Sequence, residues 1–178
     1  MELRPELVPA PISDARRAAI RDRIRRVEDA IEAREDVADL IREFNEFTGR
    51  QYGEDMFRNY WRSIDLEDFV RQAARPKPTP APGVTRAELV EVVRRAMPQN
   101  GDAEYEAYME VLDANVPLEC ASGLIFYPPD YEPATNTWAG GRSIGEYDPA
   151  PEQIVEWALA PGGGSADAEP GAAADGGA

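Results

Sequence analysis

The segment Arg75-Pro-Lys-Pro-Thr-Pro-Ala-Pro-Gly83 places proline at every second position from Pro76 to Pro82. Proline has no amide donor and a fixed φ, so neither a helix nor a central strand can run through such a stretch. It favours an extended, semi-rigid spacer, and the chain must fold separately on either side of it. A second boundary falls at Pro161, after which the sequence holds Gly, Ala, Ser, Asp, Glu and Pro170 but no large apolar side chain. That composition cannot offset the entropy of ordering a chain and predicts a disordered tail. The expected organisation is a module over 1–75, a linker over 76–83, a second module over 84–160 and a tail over 161–178.

Apolar spacing predicts an all-α protein made of two small helical modules. In the first, Ser13 and Asp14 can cap a helix carrying Ile20, Ile24, Val27 and Ile31 on one face. A second helix carries Val37, Leu40, Ile41, Phe44 and Phe47 and ends at Gly49, where a left-handed residue closes helices. A short amphipathic piece from Glu54 to Trp61 and a helix from Asp65 to Ala74 follow. In the second, Thr85-x-x-Glu88 is a capping box, followed by Leu89, Val92, Val93 and Ala96. Asp102 can cap the next helix, with Tyr105, Tyr108, Met109 and Leu112 inward. The run Gly123-Leu-Ile-Phe-Tyr-Pro128 is short enough only for a strand or a helical turn. A Gly/Pro-rich loop with Trp138 and Tyr147 leads to a last helix opened by Pro151, with Ile154, Val155, Ala158 and Leu159 inward. Each module reads long, long, short, medium, which fits either an internal duplication or two unrelated helical halves.

Composition excludes much chemistry. There is no histidine, hence no Ser-His-Asp triad, His-paired cysteine or His metal site. One cysteine, Cys120, allows no internal disulfide, and with Glu119 beside it the thiol is no candidate nucleophile. No phosphate loop, nucleophile elbow or metal-ligand spacing is present, so neither catalysis, a cofactor nor a bound metal is expected. The first residues lack a signal-peptide core and no apolar stretch is long enough to span a bilayer, so the cytoplasm is the expected compartment. The net charge of −15 disfavours nucleic acid. Arg16, Arg17, Arg21, Arg23, Arg25 and Arg26 do make the first helix basic, but Glu28, Asp29 and Glu32 follow closely. Such a segment forms intrahelical ion pairs or docks on an acidic neighbour.

The acidity is local. Residues 1–75 hold 14 Arg and 17 Asp+Glu, a net of −3, whereas 84–160 hold 4 Arg and 14 Asp+Glu, a net of −10. On the expected second helix of that module, Asp102, Glu106, Glu110 and Asp113 fall within about 80° of one another at about 100° per residue. No Lys or Arg interrupts this stripe, and Tyr105 and Met109 border it. It is either a solvated face or a surface for a basic partner. The adjacent Phe126 and Tyr127 cannot both enter one core from so short an element. Either one is an exposed anchor, or both pack beneath the following loop.

Residues 85–160 resemble the bacteriocin immunity proteins, the cytoplasmic inhibitors of colicin E-type and pyocin S-type nucleases. The residues carrying the resemblance are Thr85-Arg-Ala-Glu-Leu-Val-Glu-Val-Val93, Asn115-Val-Pro117, Ser122-Gly-Leu-Ile-Phe-Tyr-Pro128 and Pro151-Glu-Gln-Ile-Val-Glu-Trp157. The resemblance implies a distorted four-helix bundle for 84–160, with no catalytic, cofactor or metal site. It implies a basic nuclease domain of a bacteriocin toxin as the partner. Binding would use Asp102, Tyr105, Glu106, Met109, Glu110 and Asp113 on the second helix for selectivity, and Phe126 and Tyr127 as anchors. Three departures stand out: Gly123 replaces the motif's aspartate, Phe126 lacks a hydroxyl, and the segment from Asp130 to Asp148 is long. They favour an alternative in which the chain is a helical protein–protein interaction module that keeps the bundle without inhibiting.

Overall fold

The computed structural model describes residues 1–98 and 104–160. The fold is all-α with one small hairpin. Seven α-helices occur among the described residues: α1 (Asp14–Glu32), α2 (Ala38–Thr48), α3 (Glu54–Asn59), α4 (Leu66–Ala74), α5 (Arg86–Ala96), α6 (Tyr105–Asn115) and α7 (Pro151–Leu159). Short 3-10 turns follow α3 (Tyr60–Arg62) and α6 (Ala121–Ile125). Strands β1 (Thr137–Trp138) and β2 (Arg142–Ser143) pair antiparallel, with Thr137 opposite Ser143. The expected tail over 161–178 lies outside the described residues.

Local chemistry sets the helix ends. The Ser13 side chain accepts from the Arg16 amide, and the Asp65 carboxylate accepts from the Asp68 amide. Thr85 and Glu88 form the reciprocal capping box. Gly49 closes α2 at φ +72°, a conformation glycine adopts without steric cost.

Two separate apolar cores result, with no residue in common. The first is aromatic: the Phe44 ring meets Phe57 edge-on at 5.1 Å and Tyr52 at 5.4 Å, and Phe69 meets Phe57 at 5.6 Å. Ile20, Ile24, Val27 and Ala30 of α1 face it, with Ile31, expected inward, only partly buried. The second core is aliphatic and gathers Leu89, Val92 and Val93 of α5, Leu112 of α6, and Ile154 and Val155 of α7. Leu159, expected inward on α7, is 39% exposed, because α7 ends there and the chain departs at Ala160.

Leu3 and Leu7 are buried in the second core, not the first. The N-terminal strap is held by Arg4 against Glu88 at 3.2 Å and by the Met1 amine against Glu91 at 3.7 Å. Burial pushes the Glu91 carboxyl up, but hydrogen bonds from Arg95 and Arg94 outweigh this and hold it below its usual range. By packing, then, the first module begins near Ile12 and is inserted between the strap and α5. This corrects the expectation that all of 1–75 is one unit. Two proline-bearing crossings join the parts, Pro9-Ala-Pro11 and the Pro76–Pro82 run. The second crossing is tied to α6, since the Ala81 amide donates to Asn115 Oδ1 at 2.7 Å.

Candidate functional site

The buried side of α6 is Ala107, Tyr108, Val111 and Leu112. The expected set of Tyr105, Tyr108, Met109 and Leu112 lies about 80° away around the helix, and Tyr105 and Met109 are only partly buried. Tyr108 and Leu112 belong to both sets, and the Tyr108 hydroxyl accepts from Arg95 at 2.9 Å; packing against α5 buries Ala107 and Val111 in place of Tyr105 and Met109. It turns the carboxylate stripe almost directly away from the second core. Asp102 lies outside the described residues.

The stripe is not left to solvent. Glu110 receives the Arg50 guanidinium through both carboxylate oxygens, at 2.9 and 2.7 Å. Burial alone would lower the Arg50 pKa, but the hydrogen bond and charge of Glu110 hold it above its ordinary value. Arg75, only 3% exposed, lies 3.2 Å from Glu104 and 3.7 Å from Glu106. Both arginines stand where helices of the first module end, Arg50 just after the Gly49 cap and Arg75 at the C-terminal cap of α4. Asp113 works differently. It accepts from the Ser122 amide at 2.7 Å and the Ser122 hydroxyl at 2.8 Å, fastening the following 3-10 turn to α6.

The basic face expected on α1 does not make these contacts. Arg21 pairs with Glu67, Arg23 and Arg26 with Glu43, and Arg17 with Asp14, all within the first module. The Arg23 guanidinium also lies over the Phe47 ring at 3.8 Å. Sequence reading missed Arg50 and Arg75 because each is a lone arginine at a helix end; proximity to α6 exists only once the modules are assembled.

Phe126 and Tyr127 follow the 3-10 turn and are 44% and 50% exposed. Neither packs beneath the following loop. Their backbone is nonetheless fixed, with both amides donating to the Gly123 carbonyl at 3.0 and 2.9 Å. The Tyr127 ring tilts against Tyr131 at 4.7 Å. Behind them the Tyr147 hydroxyl donates to the Leu124 carbonyl, and its ring sits between Trp138 at 5.3 Å and Trp157 at 6.4 Å. Burial, with the nearby Asp130 charge, pushes the Tyr147 phenol up to about 12. The long loop from Asp130 to Asp148 thus folds back as a brace for the 3-10 turn. Exposed Asp130 and Glu132 flank the aromatic surface, and no ion pair engages either among the described residues.

No group of three His, Cys, Asp or Glu side chains is arranged for a metal ion among the described residues. Glu152 lies 3.6 Å from Arg94 and Glu156 lies 4.0 Å from Arg86. Cys120 is a free, exposed thiol. No helix among the described residues is long and apolar enough to cross a membrane. Comparison with protein-family models, curated proteins and solved structures finds no match.

Proposed function

We propose that this protein binds and neutralises a basic nuclease domain of the bacteriocin-toxin type, using the second module as an immunity-like four-helix bundle. The observation that carries the reading is the pair Phe126 and Tyr127, held exposed by a rigid backbone. Large aromatic side chains fixed at the surface lose little entropy on docking and supply the desolvated centre of an interface. Asp130 and Glu132 around them complement a basic surface and would speed encounter with it. Inhibition follows from occupancy: an acidic protein seated beside the catalytic centre repels and obstructs the phosphate backbone of the substrate. The inhibitor itself needs no proton shuttle, consistent with a chain that has no histidine.

Co-expression with a bacteriocin nuclease domain tests the reading, scored as growth rescue and as affinity of the purified pair. Each anchor should contribute about 2 kcal/mol or more when truncated to Ala. Phe126→Ala with Tyr127→Ala should therefore abolish rescue while the thermal unfolding profile stays unchanged. Unaltered rescue and affinity in that variant would remove the anchor assignment. A second reading, a non-inhibitory interaction module, is favoured by the engagement of Glu110 and Asp113 inside the chain. It predicts binding without rescue.

A further inference from the structure

The second crossing, which joins the first module to α5, keeps a threefold burial pattern. Arg75 is buried and Pro78 and Ala81 are half-buried, whereas Pro76, Lys77, Thr79, Pro80 and Pro82 are exposed. About three residues per turn is the period of a polyproline II helix, which prolines at 76, 78, 80 and 82 favour. One of its three edges is therefore seated on the protein and two face outward. The seating is specific at both ends. The Arg75 carbonyl accepts from the Arg50 guanidinium at 3.4 Å, and Ala81, packed on the second core, donates its amide to Asn115 Oδ1 at 2.7 Å. Gly83 then turns the chain at φ +60° toward the capped start of α5.

The two outward edges are unused. Among the described residues no donor reaches the carbonyls of Pro76, Lys77, Pro78, Thr79 or Pro80, and no hydrogen bond or ion pair engages the Lys77 side chain. Lys77 is the single lysine of the chain. It stands on the same edge as Pro80, about 9 Å away at about 3.1 Å per residue, while Pro76, Thr79 and Pro82 share the other. Beside the ridge, Val8 of the strap is 42% exposed, and with Pro9 it lines the cleft between strap and crossing. The surface is apolar and proline-edged, with a cation and a row of unbonded acceptors along it.

We infer that the second crossing is a preformed docking ridge for a protein domain whose aromatic-lined groove reads polyproline and carries a carboxylate opposite Lys77. Trp and Tyr rings receive successive proline edges, and their N–H and O–H groups donate to the free carbonyls. A groove approaching a three-edged helix from one side reaches two edges only, so the edge docked on the protein is the one it does not need. Because both ends of the ridge are fixed, docking orders little further chain. The carboxylate meets Lys77 at one end of the ridge and so sets the direction in which the groove reads it. This surface asks nothing of Phe126 and Tyr127, and it stands whether or not they anchor a toxin.

The experiment follows the amide resonances of the full, isotope-labelled chain while a panel of polyproline-reading domains, of the WW and Src-homology types, is added. At least one domain should bind with a Kd below about 1 mM, shifting the amides of Val8, Lys77 and Thr79 and leaving those of α2 and α3 in place. That domain should bind a free peptide of residues 75–83 about fivefold more weakly, because the peptide must first be ordered. Pro80→Ala and Lys77→Glu should each weaken binding to the full chain about tenfold, and Lys77→Arg should retain it. Both positions are exposed, and an otherwise unchanged spectrum shows that each variant is folded. Binding by no member of the panel, shifts confined to other surfaces, or an affinity no better than the peptide's overturns the inference. Shifts of the crossing that grow with the concentration of the chain alone assign the ridge to a second copy and overturn it as well.

Discussion

Asp113→Ala separates the role of this carboxylate in building the site from any role in touching a partner. Among the described residues, its two acceptor contacts, to the Ser122 amide and hydroxyl, are the hydrogen bonds that tie an α6 side chain to the 3-10 turn presenting Phe126 and Tyr127. Bonds to a charged acceptor contribute about 1.5–3 kcal/mol each when buried; at this half-buried position about 1 kcal/mol each is appropriate. Losing both costs about 2 kcal/mol, which raises local opening of the turn about 30-fold at about 1.4 kcal/mol per decade. The amides of Gly123, Phe126 and Tyr127, bonded to Cys120 or Gly123 carbonyls at 2.9 to 3.0 Å, report that opening by hydrogen exchange. Their protection should fall about 30-fold while the α1 and α4 amides stay unchanged. Ser122→Ala removes one of the two bonds and should show about a tenfold loss or less. The double variant should match Asp113→Ala alone, giving a coupling of about 1 kcal/mol. Strictly additive single effects, or unchanged protection in Asp113→Ala, would refute the idea that this carboxylate fastens the turn.

Other consequences follow from the same structure. Phe44→Ala removes the ring at the centre of the first aromatic core and should destabilise that module by about 3–5 kcal/mol in urea denaturation, leaving α5–α7 exchange protection intact. Gly49→Ala forces a Cβ into φ +72° and should cost about 1 kcal/mol, measured as a lowered denaturation midpoint with unchanged slope. Burial and the hydrogen bond to Glu28 push the Tyr60 phenol up to about 12, and burial beside Asp130 does the same at Tyr147. The native state therefore prefers both phenols protonated; that stabilisation is complete below about pH 10 and is lost as pH rises from about 10 to about 12. A tyrosinate absorbance titration should show late-titrating phenols at Tyr60 and Tyr147, with burial raising Tyr52 as well, and Glu28→Gln should bring Tyr60 earlier. Titration of every tyrosine near the ordinary value would contradict the assignment.

Much of the local structure was legible in the chain because its causes are local. Thr85 and Glu88 cap α5 through atoms three residues apart, Gly49 closes α2 by its own backbone freedom, and the Leu89, Val92, Val93, Ala96 spacing marks a buried face directly. The rotation of α6 was not legible. Tyr105 and Met109 are large and apolar enough to face inward beside Tyr108, and only packing against α5 buries Ala107 and Val111 in their place. The strap escapes a linear reading for a similar reason: Leu3 and Leu7 look like any short apolar pair, and their burial is specified about 80 residues away along the chain.

The sequence by itself determined that this protein is helical, that proline divides it, and that its excess negative charge falls in the segment 84–160, which also carries an adjacent aromatic pair. Those properties depend on spacing along the backbone, which a linear reading preserves. Tertiary structure alone decided which carboxylates are engaged. It placed Arg50 and Arg75, remote in sequence, against Glu110, Glu104 and Glu106, gave Asp113 to Ser122, and left Phe126 and Tyr127 uncovered. Charge acts through space rather than along the chain, so the net charge of a segment is a sequence property and the partner of each charge is not.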